Sequence, residues 1–263
     1  MRYLLAALIV LGLSGLAYAA PVGLTSEADA TKAELWADEN YGLSIGFIGD
    51  FVDERGIDVD GGEFSLDAMI GRIALSMYDR FNLYLDLGNA QDMEYTAELN
   101  SQKVVVKYEF DDEFLWGIGL NALIMRWDNG FEIGAGASYR SAEMTLDKVT
   151  IDNIAYTRAN MDTLSDGEFK EWQAALECAW RLDFLTPYIG IKYSDVEVDG
   201  DVTYAAVRYD ASGKNSQAKV GGFAGLTITP KIDGVPKSEQ IAINIEARFM
   251  DEDAFNAGIT YKF

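Results

Sequence analysis

The chain has no histidine, a single cysteine and few basic residues. Without histidine it lacks the side chain that most often works as a general base near neutral pH. Cys178 has no partner in the chain, so no intramolecular disulfide can form. Stability must come from the chain's own core or from a lipid solvent. Lys and Arg total 21 against 43 Asp and Glu, for a net charge of -22. That balance counts against nucleic acid, whose binders carry a basic footprint, and against docking on anionic phospholipid.

The beginning of the chain reads as an export signal over residues 1–19. Arg2 supplies the positive start, "LLAALIVLGLSGLA" the apolar stretch, and Ala17-Tyr18-Ala19 a cleavage motif before Ala20. The alternative is a retained anchor, which Gly12, Ser14 and Gly15 weaken. No cysteine follows the apolar stretch, so nothing points to an acylated lipoprotein. Residues 20–40 are expected to form a periplasmic leader, with a Ser26…Asp29 capping pattern for a short helix.

From residue 41 to 263 the pattern becomes short alternating segments between turn-rich stretches. They are 41–51, 64–77, 81–87, 114–124, 131–139, 172–180, 188–194, 219–229, 241–249 and the terminal "AFNAGITYKF". The second is read with a phase change near Gly71, as a bulge or glycine kink. On one face of these segments stand residues such as Leu43, Ile45, Phe47, Ile73, Leu75, Leu83, Leu85, Trp116 and Ile118, and that face holds no Asp, Glu, Lys or Arg. Since 24% of the chain is charged, a face free of charge is a strong signal. A soluble sandwich puts its polar face outward. Here the charges fall on the opposite face, the pattern of a transmembrane barrel.

The expected fold is therefore all-β: an antiparallel up-and-down transmembrane β-barrel of about ten strands, with eight as the alternative. The links at 78–80, 127–130 and 182–187 are tight, and Asn129-Gly130 suits a hairpin. The links at 52–63, 89–113, 145–168 and 195–216 are long, and together with 250–254 they carry most of the negative charge. This predicts short periplasmic turns, long acidic extracellular loops and a bacterial outer-membrane location. Aromatic girdles are expected at Tyr41, Phe81, Phe131, Trp180 and Tyr261, and at Phe51, Phe64, Trp116, Tyr139, Trp172 and Phe249.

The chain stops on an aromatic stripe of Phe255, Ala257, Ile259, Tyr261 and Phe263. This ending resembles the C-terminal assembly signal of bacterial outer-membrane barrels. The resemblance implies that Phe255, Ile259, Tyr261 and Phe263 are read by the barrel-assembly machinery. "LTPYIGIKYS" and "VGGFAGLTITP" are similar to strand pairs of the OmpA-like small-barrel group, here without a peptidoglycan-binding domain. The implied partners are outer-membrane lipid and lipopolysaccharide.

No catalytic constellation is found. Barrel enzymes such as omptin proteases, phospholipases and lipid A deacylases rely on a histidine that this chain lacks. "GIGLNA" at 117–122 matches a nucleotide-loop pattern, but it lies within one strand instead of at a strand-to-helix turn. No cofactor is expected. Asp58, Asp60, Glu63, Asp199 and Asp201 are weak candidates for loop Ca²⁺ ligands, although solvated acidic loops explain them as well. Cys178 is read as a small apolar filler on the lipid face.

The inward charges are expected to be Asp67, Arg72, Asp86, Glu132, Arg140, Glu171, Glu177, Arg181, Lys192, Lys219, Glu246, Arg248 and Lys262. Acids and bases nearly balance. Because buried charge must be paired, this predicts a cross-linked, largely plugged lumen, with a narrow water thread as the alternative. The functional expectation is a non-catalytic barrel serving envelope integrity or surface interaction. Tyr95, Tyr108, Tyr156 and Tyr204 are candidate loop contacts to an unknown extracellular ligand. The alternative is a narrow passive porin-like channel for small solutes.

Overall fold

The computed structural model of the chain describes residues 41–57, 62–78, 80–99, 104–151, 153–157, 163–164, 167–199, 201–204, 207–210, 213–214, 216–230 and 240–263. The proposed signal and leader lie outside these residues.

Ten long strands form the wall: β1 (Tyr41–Ile57), β2 (Gly62–Met77), β3 (Phe81–Leu99), β4 (Glu113–Arg126), β5 (Phe131–Met144), β6 (Gly167–Trp180), β7 (Leu185–Asp199), β8 (Val220–Ile228), β9 (Ile241–Phe249) and β10 (Asp253–Lys262). Each pairs antiparallel with the next in sequence. The first and last also pair, from Ser44↔Lys262 to Phe51↔Phe255, so the sheet closes on itself and leaves no edge. The barrel has ten strands, not eight.

The last residue is tied in as well. Phe263 donates its backbone N–H to the Leu43 carbonyl at 2.9 Å, and its ring meets Tyr261 edge-on at 5.0 Å. At the end of the barrel holding this residue, tight turns join β2 to β3, β4 to β5 and β6 to β7; we call it the turn end. The opposite, loop end extends past the barrel. Val104–Phe110 pairs with the far part of β3, Leu146–Ile151 pairs with it in turn, and Ile154–Thr157 follows. Much of what the sequence presents as loop at 89–113 and 145–168 is therefore strand. The Val104-Val105-Val106 run and the Tyr95–Tyr108 cross-strand stack, with ring centroids 5.7 Å apart, explain why the ladder continues.

β2 corrects the phase. Its pairing with β1 is unbroken from Val52↔Leu66 to Tyr41↔Met77, with no bulge at Gly71. Phe64, Leu66, Ala68, Ile70, Arg72, Ala74 and Ser76 all face inward, and Met69, Ile73 and Leu75 face outward. The apolar residues at the start of β2 thus belong to the interior. Phe64 is no girdle residue; it is 1% exposed and stacks on Phe169 at 5.3 Å.

Candidate functional site: the layered lumen

Strand alternation sends two chemically different sets of side chains in opposite directions. The outer wall presents bare aliphatic residues: Ile189 and Ile191 are 60% and 62% exposed, and Phe47 is 54% exposed. Trp180 and Trp172 bracket this band on β6, and Tyr193 packs against Trp172 at 5.2 Å. At roughly 3.3 Å rise per residue and a tilt near 40°, that span covers about 20 Å, close to the apolar band of a membrane barrel. Cys178 lies exposed on this wall.

The interior has three layers. Toward the turn end most inward side chains are polar or small, including Ser44, Ser76, Asn82, Asn121, Thr186 and Thr227, around a small apolar cluster of Ala175, Ala179, Tyr188 and Phe223. Glycines here admit aromatic rings: a Cβ on Gly119 would stand 2.2 Å from the Tyr84 ring, and one on Gly225 the same distance from Tyr188. Arg72 forks onto Asp86 at 2.7 and 2.8 Å and lies 3.8 Å above the Tyr84 ring centre. Tyr188 donates to Glu246 at 3.0 Å. At the opening, Arg126 and Arg181 both reach Glu132, at 2.6 and 3.1 Å.

Across the middle runs an ionic belt. Glu171 takes Arg55 on one carboxylate oxygen and Arg140 on the other, each at 2.5 Å. Arg140 continues to Asp50 at 2.7 Å, and the second oxygen of Asp50 takes Arg248 at 2.7 Å. Arg55 also holds Glu252 at 2.8 Å and the Ser194 and Ser216 hydroxyls at 2.9 and 3.1 Å. Lys192 pairs with Glu252 and, at 3.0 Å, with Asp251, which accepts from Ser194 at 2.6 Å. Arg248 approaches Glu246 at 3.7 Å. Four cations thus face five carboxylates drawn from five strands and the β9–β10 turn. Burial on this scale is tolerable only because nearly every charge has an opposite within reach.

Toward the loop end the interior turns apolar. Ile48, Val52, Ile57, Phe64, Leu66, Ile70, Met93, Leu115, Met144, Phe169, Val196 and Val198 form one buried cluster. The ribbon beyond the barrel adds Tyr95, Val106, Tyr108, Leu146 and Val149 to it, so its inner face covers this end. Its outer face carries exposed pairs such as Lys107–Glu94 at 2.7 Å, and the hydrogen bond that Lys107 donates to Glu94 holds its ammonium above the usual range.

Residues 120–229 match the Chlamydia major outer membrane protein family. Among curated proteins, the major outer membrane porin of Chlamydia trachomatis serovar H is 26% identical over 179 residues, covering 49% of this chain and 45% of that protein. The serovar C porin is 22% identical over 273 residues, covering 73% of this chain and 68% of that protein. This is an outer-membrane β-barrel. The chain spans about half the length of the first of these relatives. Among solved structures, the outer membrane protease OmpT from Escherichia coli superposes with a TM-score of 0.44 at 10% identity, covering 85% of this chain and 96% of that one, too loosely to carry any argument.

Within the barrel, Arg72, Asp86, Glu132, Arg140, Glu171, Glu177, Lys192, Glu246, Arg248 and Lys262 are buried or nearly so on the inward face, and Arg181 joins at the opening. Two expected members lie elsewhere. Asp67 sits on the outer face of β2, paired in register with outward Phe51. Lys219 bonds Asp195 at 2.8 Å, between the exposed Tyr193 and Glu197 of β7, and does not join the belt. Alternation at Ser44, Gly46 and Ile48 would have revealed Asp50. Arg55 is displaced by the bulge between Val52 and Arg55. Asp251 and Glu252 read as loop acids but are 3% and 4% exposed.

Tyr95 and Tyr108 are buried in the ribbon and cannot serve as surface contacts; Tyr156 is half-buried, and the Tyr204 side chain lies outside what is described. Of the Ca²⁺ candidates, Glu63 is exposed on β2. Asp58 and Asp60 lie outside the described residues, as do the side chains of Asp199 and Asp201. Among the described residues no group of three or more His, Cys, Asp or Glu is arranged to hold a metal. Phe255, Ile259 and Tyr261 take outward positions on β10.

Proposed function

We propose that this protein is a non-catalytic outer-membrane barrel whose axis is closed, acting in envelope integrity and surface interaction through its loop end, as in OmpA-like small barrels. The supporting observation is the filled interior: a cross-linked ionic belt below an apolar cluster, with no layer left as an open passage among the described residues. The absence of any histidine argues in the same direction. Lipopolysaccharide and outer-membrane lipid are the natural partners of the wall and its girdles, and the barrel-assembly machinery of Phe263 and the stripe before it. The second reading, a narrow porin-like channel for small solutes, is favoured by the similar Chlamydia trachomatis proteins, which are named porins. Planar-bilayer recording of the refolded barrel separates the two. A closed scaffold gives no resolved unitary steps, whereas sustained, reproducible openings would replace it with the channel.

A further inference from the structure

We propose that the loop end carries a binding cleft for an alkyl ammonium or guanidinium group, the chemistry of a small amine or of a basic side chain. The inference rests on the reading of surface interaction through the loop end and gives that interaction a chemical class.

Three observations carry it. The first is a built cleft. Between β1, the segment entering β8 and the β9–β10 turn lies a cavity of about 270 Å³. Its rim, with Glu54, Gln217, Met250 and Asp253, is exposed, and its floor is formed by the buried Asp251 and Glu252 of the ionic belt. The second is charge without a counterpart. Four carboxylates line the cleft, from Glu54, Asp251, Glu252 and Asp253, and no lysine or arginine does. Asp251 and Glu252 are met from below by Lys192 and Arg55. Glu54 and Asp253 face each other in the β1–β10 ladder, and among the described residues neither has an opposite charge in reach. Like charges set opposite one another repel, and a cation seated between them removes that repulsion. The third is an unmet acceptor in the floor. Asp251 is 3% exposed, and its Oδ1 has no hydrogen-bond partner in the protein, although buried carboxylate oxygens ordinarily have a donor.

The shape selects the kind of cation. No three acids among the described residues are arranged to hold a metal ion, so the spread of carboxylates suits a polyatomic cation whose N–H groups fan outward. Ala218 and Met250 supply an apolar wall for its alkyl stem. Met250 is held at φ 86°, a conformation that non-glycine residues rarely take, with its side chain 72% exposed. The volume falls just below that of drug-sized sites, enough for one side chain or a short diamine.

Calorimetric titration of the refolded full-length barrel in neutral detergent at low salt tests this. The probes are 1,5-diaminopentane, the capped peptide acetyl-Gly-Lys-Gly-amide and uncharged 1-pentanol. Both amines are expected to bind one to one and pentanol not at all; whichever amine binds tighter shows whether a free amine or a lysine side chain is the better occupant. Glu54→Gln with Asp253→Asn should weaken binding about 10-fold, roughly 3-fold for each exposed charge. Either single substitution serves if the pair does not refold. Glu143→Gln with Asp147→Asn makes the same change of net charge at exposed positions outside the cleft and should leave binding unchanged. Equal weakening by the two pairs, binding of pentanol as tight as that of the amines, or no saturable binding overturns the cleft. If the amines fail to bind while bilayers stay silent, the cleft falls and the closed barrel stands. Specific binding together with unitary steps would leave the cleft in place and remove the closed axis.

Discussion

The two halves of the lumen share the same ten strands and the same period-2 alternation, yet they are solved by different physics. The turn-end half is held by hydrogen bonds and forked ion pairs, with glycine sockets that admit Tyr84 and Tyr188. The loop-end half is a conventional apolar core, of the kind that stabilises soluble domains. Below the belt the hydrocarbon of the bilayer already solvates the outer wall, so the interior is free to be polar. Above it the wall leaves the lipid and the chain must find a dry core of its own. The ionic belt marks the seam.

The belt offers the largest break in this comparison. Arg140→Ala removes the link between Asp50 and Glu171 and leaves both carboxylates buried with one partner fewer. Removing one member of a buried ion pair costs on the order of 3–5 kcal/mol, so the urea midpoint of the refolded barrel should fall steeply. Conductance should rise from nothing to brief flickers. A variant with unchanged stability would show that the belt is ornamental. A smaller effect is expected above it. Leu66→Ala empties a site that is 1% exposed, and such truncations cost about 2–4 kcal/mol through lost burial and the cavity left behind. Denaturant titration should show that loss without any gain of conductance, because the ribbon still covers this end.

Much of the architecture was legible in the sequence because the bilayer reads side chains directly. Where lipid wets the wall, an apolar residue must face out, and the stripes at Ile45, Ile73, Leu83 and Ile118 report their own orientation. The same rule misleads beyond the lipid. Phe64, Leu66 and Ile70 are as apolar as Ile73 but face inward, because above the membrane the only apolar place is inside. Extending the lipid rule upward demanded a phase change at Gly71 that the backbone does not make, and it turned Asp67 inward. Partners were less legible than directions. Arg55 meets Glu171 and Glu252, 116 and 197 residues away, and strand alternation states which face a residue takes but not whom it meets. Asp251 and Glu252 were hidden for another reason: a turn three residues long looks solvated in sequence, yet its carboxylates drop onto Lys192 and Arg55.

The sharpest contrast between the halves is the sign of the volume change each resists. The apolar half suffers when atoms are removed; the glycine-socketed half should suffer when one is added. Gly119→Ala places a methyl group 2.2 Å from the Tyr84 hydroxyl and ring, and Tyr84 is buried with Arg72 stacked against its ring. The ring cannot retreat without disturbing the Arg72–Asp86 fork, so overpacking of about 1–3 kcal/mol is expected. Shortening the intruding side chain should relieve it in part: Tyr84→Phe introduced beside Gly119→Ala removes the hydroxyl, one of the two atoms nearest the new methyl, and frees the ring end to shift, so it should recover part of the loss, while Tyr84→Phe alone should stabilise nothing. Denaturation midpoints of the four members of this cycle read the coupling directly. Strict additivity would mean that ring and socket are independent, and that the small residues of the turn-end half are there for some reason other than accommodating aromatic side chains.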